Sequence, residues 1–232
     1  MYEDVRLIRA ERFGRATYCL PGLISSRPVN IAPIQIAVLR YISALQEHYG
    51  VEFSSLPNIS QNRELRNWGA CLDERNYVDL LVFDLLKPFN ISKWAKPAIR
   101  LLAGEKSFAD EHRYATSKLH TDIWGGEHRG TMNILLPVFD SGVDCEFYEP
   151  KEMIPLNPQG DYDHANKIEV TKVEHKTKVG ELTFFDAMLL HKTIRNGSGY
   201  RISIDGRGLY REQLHDDNSD WPSASKYEVE NV

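Results

Sequence analysis

From about residue 114 onward the chain changes character, and this change restricts its fold more than any other feature of the sequence. Thr131–Phe139, Cys145–Tyr148, Ile168–Val173, Glu181–Leu190 and Arg201–Tyr210 are apolar stretches rich in β-branched and aromatic residues, bounded by turn residues such as Asp140-Ser141-Gly142 and Gly180. They predict a set of strands. Between them, Lys151–Lys167 carries prolines, a glycine and polar side chains and reads as a long loop, of the kind that covers a site more often than it merely connects. The first half reads as support. Ile34, Val38, Tyr41, Ile42 and Leu45 recur at helical spacing, with Pro33 in the first turn and Gly50 at the stop, so an amphipathic helix is expected over Ile31–Tyr49. A shorter polar helix is expected over Asn58–Trp68 and a last one over Ser92–Ala103, with Pro97 at its centre. Tyr77–Leu86 fits helix or strand, and Asp4–Cys19 a first strand. These helices are expected to pack on the outside of a sheet.

Composition sets the outer bounds. A length of 232 residues suits a single domain with a sizeable core. Its expected division is a helical and strand support region over about 1–113, a β core over about 114–210, and a solvated tail over 211–232 that Trp221 and Tyr227 can dock. Hydrophobic content of 42% and charged content of 26% describe an ordinary globular chain. A net charge of −5, a pI near 5.9 and the lack of a basic run give no electrostatic reason to expect nucleic acid or an anionic membrane as partner. The opening residues lack a basic-then-apolar signal pattern, and no stretch approaches the ~20 apolar residues of a membrane helix, so a cytoplasmic location is expected. Cys19, Cys71 and Cys145 have neither zinc-type nor disulfide-framework spacing and are expected to be reduced and structural.

The chemistry concentrates at His120-Thr121-Asp122, at His191 and at Arg201-Ile202-Ser203. In a strand His120 and Asp122 project to the same side, and the run Gly180–Leu190 would carry His191 to the end of a second, buried strand. Two imidazoles and one carboxylate can occupy one face of an octahedral divalent metal and leave the other positions open. Arg201 and Ser203, two apart on a third strand, share a face and can clamp a carboxylate, the guanidinium in bidentate fashion. Each residue also has a plainer reading. His120 and Asp122 could form a strand-end hydrogen bond, His191 could be a satisfied core histidine, and Arg201 could pair with Glu181 or Asp186. Thr131 and Asn133, on one face of an apolar strand, fit cavity-lining and structural hydrogen bonding equally. Trp124 fits a substrate lid or the core. His48, His112, His128, His164 and His175 sit in polar surroundings and read as surface residues.

The ordered pattern H-x-D, a distant H, and R-x-S ten residues later resembles the Fe(II)/2-oxoglutarate-dependent dioxygenase superfamily over roughly 118–210. His120–Glu127 and Phe185–His191 look like its phytanoyl-hydroxylase-like and carbohydrate-cluster small-molecule hydroxylases. The resemblance implies a mainly β fold with flanking helices around a double-stranded β-helix, a cupin-like jelly roll. It implies Fe(II) on His120, Asp122 and His191, and 2-oxoglutarate held at its distal carboxylate by Arg201 and Ser203, with Thr131 and Asn133 beside it. O2 is the oxidant, hydroxylation of a substrate carbon the usual outcome, and succinate and CO2 the by-products. Trp124, Glu127 and Tyr162 are candidate substrate contacts. The polar residues of the long loop point to a small metabolite derived from a sugar or an amino acid. Cupin-like isomerases, epimerases or hydrolases, and non-catalytic metal-binding jelly rolls, share the barrel and its ligands but have no need of Arg201 and Ser203. The oligomeric state is not legible.

Overall fold

A computed structural model describes residues 24–56, 72–88, 93–105, 115–125, 131–140, 142–151, 154, 157 and 159–209. In chain order the elements are β1 (Ile24–Pro28), α1 (Ala32–Tyr49), α2 (Asp73–Leu86), β2 (Lys93–Ala103), β3 (Thr131–Asp140), β4 (Val143–Pro150), β5 (Val170–Val173), β6 (Glu181–Asp186), β7 (Leu190–Arg195) and β8 (Tyr200–Leu209). Short 3-10 turns occupy Phe53–Ser55, Asp122–Gly125 and Tyr162–Lys167. All strand pairs are antiparallel, in a five-stranded sheet ordered β1-β6-β3-β8-β2 and a three-stranded sheet ordered β5-β4-β7. The smaller sheet has a rudimentary fourth member. His120 bridges His191 at the edge of β7, and Thr193 N–H donates to the Thr116 carbonyl at 2.7 Å. From β3 onward the chain passes back and forth between the two sheets, which is the connectivity of a jelly roll.

β3 and β6, at the centre of the larger sheet, are buried on both faces, which is why these two strands read as near-continuous apolar runs. Met132, Ile134 and Leu136 of β3, Leu182 and Phe184 of β6, and Ile202 and Ile204 of β8 pack against the helices. Ile34, Val38 and Ile42 of α1 and Val78, Val82 and Leu86 of α2 meet them. The intervening residues face the other sheet, where Leu135 and Phe185 meet Cys145, Phe147 and Leu189. The helix expected over Ile31–Tyr49 forms as α1, with proline in its first turn and Gly50, at φ 62°, closing it in the left-handed conformation. Tyr77–Leu86 resolves as the end of α2, because Val78, Val82 and Leu86 fall on one face at intervals of four.

Three expectations need correction. Ser92–Ala103 is not a helix but the edge strand β2, paired with β8. Pro97 lies in the register irregularity between Ala95 and Ala98, a position that tolerates a residue without an N–H. The stretch Glu181–Leu190 is two strand segments joined by a tight turn. Asp186 Oδ1 accepts from Met188 N–H at 2.9 Å and its carbonyl from Leu189 N–H at 2.9 Å, so the apolar residues Ala187, Met188 and Leu189 are buried in a turn that apolar patterning cannot distinguish from strand. The β core also begins earlier than 114, since β1 and β2 flank the larger sheet. The segments 4–19 and 58–68, the tail with Trp221 and Tyr227, and Cys19 and Cys71 lie outside the described residues. Cys145 is a buried free thiol, pushed up to about 12 by burial, which suits a structural role. Among the described residues, no helix is long and apolar enough to cross a membrane.

Candidate metal centre

His120 and His191 arrive from opposite directions and are fixed to each other through the backbone. Each donates its N–H to the other's carbonyl, at 3.0 and 2.9 Å. Asp122 is the first residue of a 3-10 turn and not part of a strand, and its N–H donates to the Ala187 carbonyl in the β6–β7 turn at 2.9 Å. The same turn that divides the expected long strand therefore anchors the carboxylate. His191 follows it as the second residue of β7 and not the end of β6.

The side chains converge. One ligand atom from each of His120, Asp122 and His191 lies within 4.8 Å of the others. Asp122 Oδ1 is 3.8 Å from Nε2 of both histidines. Each Nδ1 faces a carbonyl, that of Lys118 at 2.7 Å for His120 and that of Leu189 at 2.9 Å for His191. A carbonyl only accepts, so each Nδ1 carries the proton and each Nε2 presents its lone pair to the common centre. Burial foremost, then the adjacent His191, lowers the His120 imidazolium to about 3, so this ring is neutral and ligand-ready near neutral pH. Burial alone would raise the Asp122 carboxyl. Burial is the largest single influence, but the Arg207 guanidinium and, behind it, His191, His120 and Arg100 together outweigh it and hold that group well below the ordinary carboxylate range. Neutral imidazole nitrogens and an ionised carboxylate are the donor set that a divalent first-row metal requires.

The triad opens on a cavity of about 120 Å³ between the sheets, with Asn133, Phe185, Arg201, Asp205 and Arg207 on its walls and Arg100 beside them. Arg201 is 2% exposed, and among the described residues its Nε and Nη1 have no hydrogen-bond partner. Neither acid suggested by sequence takes it, because Glu181 pairs with Lys178 and Asp186 caps its turn. Its cross-strand neighbour is Asp140, whose carboxyl is raised by burial against the pull of Arg201. Ser203 is fully buried on the same face of β8, but it donates to Asp205 Oδ1 at 2.8 Å and does not line the cavity. Asn133 does line it, with a buried Nδ2 that has no partner and an Oδ1 that accepts from Arg207 Nε at 3.4 Å. Thr131 is buried outside the cavity wall.

Two of the three candidate substrate contacts fall elsewhere. Trp124 and Tyr162 are buried in a cluster with Ile123, Ile154, Ala165 and Met188, outside the cavity lining, because the apolar residues of the long loop have a core of their own to join. Glu127, His128, Arg129 and His112 lie outside the described residues. His164 and His175 are half-buried and not surface residues; His175 Nε2 bonds Ser26 Oγ at 3.0 Å. Sequence reasoning missed Arg100, Asp205 and Arg207. The last two continue the odd-numbered alternation Arg201, Ser203, Asp205, Arg207 along β8, a signal that was present in the sequence. Arg207 Nη2 stands 3.5 Å from Asp122 Oδ2, and Arg100 Nε 2.8 Å from Asp205 Oδ2.

No family model and no curated protein matches the chain. Solved structures with a similar course include a prolyl-4-hydroxylase of Pseudomonas putida, at 13% identity and TM-score 0.43, covering 91% of this chain and 96% of that one. The epimerase SnoN, in complex with Fe3+, alpha ketoglutarate and nogalamycin RO, aligns at 12% identity and TM-score 0.45 over 97% of both chains. The non-heme monooxygenase ThoJ aligns at 9% identity and TM-score 0.47, over 83% of this chain and 75% of that one. At such distances the chemistry of the site rests on its own residues.

Proposed function

We propose that this chain is an Fe(II)- and 2-oxoglutarate-dependent oxygenase acting on a small polar metabolite. One observation carries the reading. A converging His-His-Asp set with both Nδ1 protons engaged shares its cavity with a buried guanidinium that has two nitrogens without partners. Asp140 is drawn to Arg201 across the strand pair, but among the described residues two guanidinium nitrogens find no hydrogen bond, and a buried donor left so costs free energy, so Arg201 calls for a further acceptor from outside the chain. A carboxylate at the end of a short dicarboxylic acid matches a guanidinium in shape and charge. Metal-dependent isomerases and hydrolases, and metal-binding jelly rolls without turnover, use the same triad but leave Arg201 without a purpose.

His120, Asp122 and His191 would hold the metal, and Arg201 would take the distal carboxylate, with Asn133 Nδ2 a further donor on the same wall. Ser203 would act at one remove, through Asp205. When bound, iron and 2-oxoglutarate supply O2 activation: one oxygen atom enters the substrate C–H bond as hydroxyl, the other enters succinate, and CO2 leaves. The residues of the chain do the placing. Arg207 Nη2 stands 3.5 Å from Asp122 Oδ2, so Oδ1, 3.8 Å from Nε2 of both imidazoles, is the oxygen that Asp122 would offer to a metal. Phe185 and Leu135 line the inner wall and keep bulk water from the reacting centre. The polar substrate class is supported by Arg100 and Arg207, charged side chains that are 35% and 33% exposed on the cavity wall.

The test is substrate-stimulated or uncoupled succinate release with Fe(II) and 2-oxoglutarate. Arg201→Lys keeps the charge but loses the planar fork and is expected to raise the 2-oxoglutarate requirement, and Arg201→Ala to raise it further, by the equivalent of ~2–5 kcal/mol. A 2-oxoglutarate dependence unchanged in both variants would refute the co-substrate assignment.

A further inference from the structure

The long loop between β4 and β5 reaches the centre from outside the cavity. Its 3-10 turn, Tyr162–Lys167, places the Tyr162 ring face to face with the His120 imidazole, with centroids 4.2 Å apart and planes 11° from parallel. Tyr162 is 8% exposed and is fixed in turn by Ile123, Trp124, Ile154, Ala165 and Met188. The neighbouring Asp163 pairs with Lys118 Nζ at 2.9 Å, and Lys118 supplies the carbonyl that accepts the Nδ1 proton of His120. One turn thus touches both restraints on a single ring. Asp161 holds the turn itself, its Oδ1 accepting from Asp163 N–H at 2.8 Å.

The two restraints are unequal. The Lys118–Asp163 pair is screened, since the Asp163 side chain is 55% exposed, whereas the ring stack is buried. The hydrogen bond at Nδ1 alone leaves the imidazole free to swing about its donor atom, and a flat ring against its face removes that freedom. We propose that Tyr162 is a positioning residue for His120, so that the loop tunes metal affinity. The proposal rests on the metal reading of the centre.

Tyr162→Phe keeps the stacked ring and Tyr162→Leu removes it. Metal-free protein would be titrated with Mn(II), followed by the spin-resonance signal of the free ion, and loaded with Co(II) for its d–d spectrum. Tyr162→Leu is expected to weaken Mn(II) binding by about 10-fold or more, within the range of outer-shell substitutions at metal sites, and to alter the Co(II) spectrum, while Tyr162→Phe matches wild type. In the metal-free wild type the ring protons of His120 should resonate upfield of free imidazole, because they lie over the Tyr162 ring. That measurement needs no variant and decides the stack even if Tyr162→Leu fails to fold. An unshifted His120 ring, or a folded Tyr162→Leu protein with wild-type Mn(II) affinity and Co(II) spectrum, would overturn the proposal. A wild type that binds no Mn(II) would instead bring down the metal reading beneath it, and the proposal with it.

Discussion

At the scale of single residues the centre is governed by what each buried polar atom finds to bond. His120 and His191 have the same local device, a carbonyl two residues back that takes the Nδ1 proton, so the orientation of both Nε2 atoms is set by backbone already in place. Acid exposes the consequence. His120 titrates at about 3 in the folded chain and near 6.5 when unfolded, so between those values the unfolded state binds more protons. Stability therefore falls as pH drops through that window and is fully present above it. The depressed Asp122 carboxyl adds to the same trend at the acid end, because it too binds its proton more readily unfolded. Urea midpoints of metal-free protein are expected to decline from pH 7 to pH 4, and His120→Gln to flatten the slope over that range. A slope that His120→Gln leaves unchanged would contradict the neutral, desolvated state of this ring.

At the scale of elements, strand alternation and turns divide the labour. β8 sends Ile202 and Ile204 to the helix layer and Arg201, Ser203, Asp205 and Arg207 inward, so one strand supplies both core and cavity wall. The turns set the ends of the strands. Gly104 follows β2 where the β3–β4 and β7–β8 connections meet; its N–H donates to the Gly199 carbonyl at 2.8 Å and its carbonyl accepts from Gly197 N–H at 3.3 Å. A Cβ at this position would collide with the Gly197 carbonyl oxygen and come within 2.9 Å of that of Gly142, both backbone atoms with no rotamer to relieve them. Gly104→Ala is expected to cost about 1–3 kcal/mol or more in urea-induced unfolding, as overpacking does where backbone must move. Wild-type stability in that variant would show that the three connections are not in contact in solution.

At the scale of the whole molecule the fold is three layers, helices on the larger sheet and the larger sheet on the smaller, with the metal centre between the sheets. Among the described residues none of the helix layer lines the cavity, yet that layer closes the apolar outer face on which β3, β6 and β8 depend. Leu136, 1% exposed, lies in that interface and points away from the centre. Leu136→Ala is expected to lose ~2–5 kcal/mol of stability while leaving Mn(II) affinity, measured where the variant is folded, unchanged. A parallel loss of metal binding would mean that the outer layer and the centre are coupled through β3. The loop after β4 is a separate device. It builds its own small cluster on Leu190 and Tyr148, and so supports the centre from the side opposite the helices.

What the sequence determined by itself is the donor chemistry and the strand periodicity. The spacing of His120, Asp122, His191 and Arg201 named the centre because few other arrangements use those residue types together; α1 was legible from its helical apolar period, and most strands from apolar, β-branched runs bounded by turn residues. Three things were decided only in three dimensions. Ser92–Ala103 became a strand because β8 offered a partner at the sheet edge, an outcome that local propensity does not encode. The break at Ala187–Leu189 was hidden because a buried turn is as apolar as a buried strand. The alternation along β8 could place Arg207 on the inner face, but the partners of Tyr162 and Arg207 were invisible because both act on residues far away in the chain, Tyr162 on His120 and Arg207 on Asp122. Chemistry follows residue type and can be read along a chain. Orientation follows from contacts between segments remote in sequence, and those exist only once the sheets have closed.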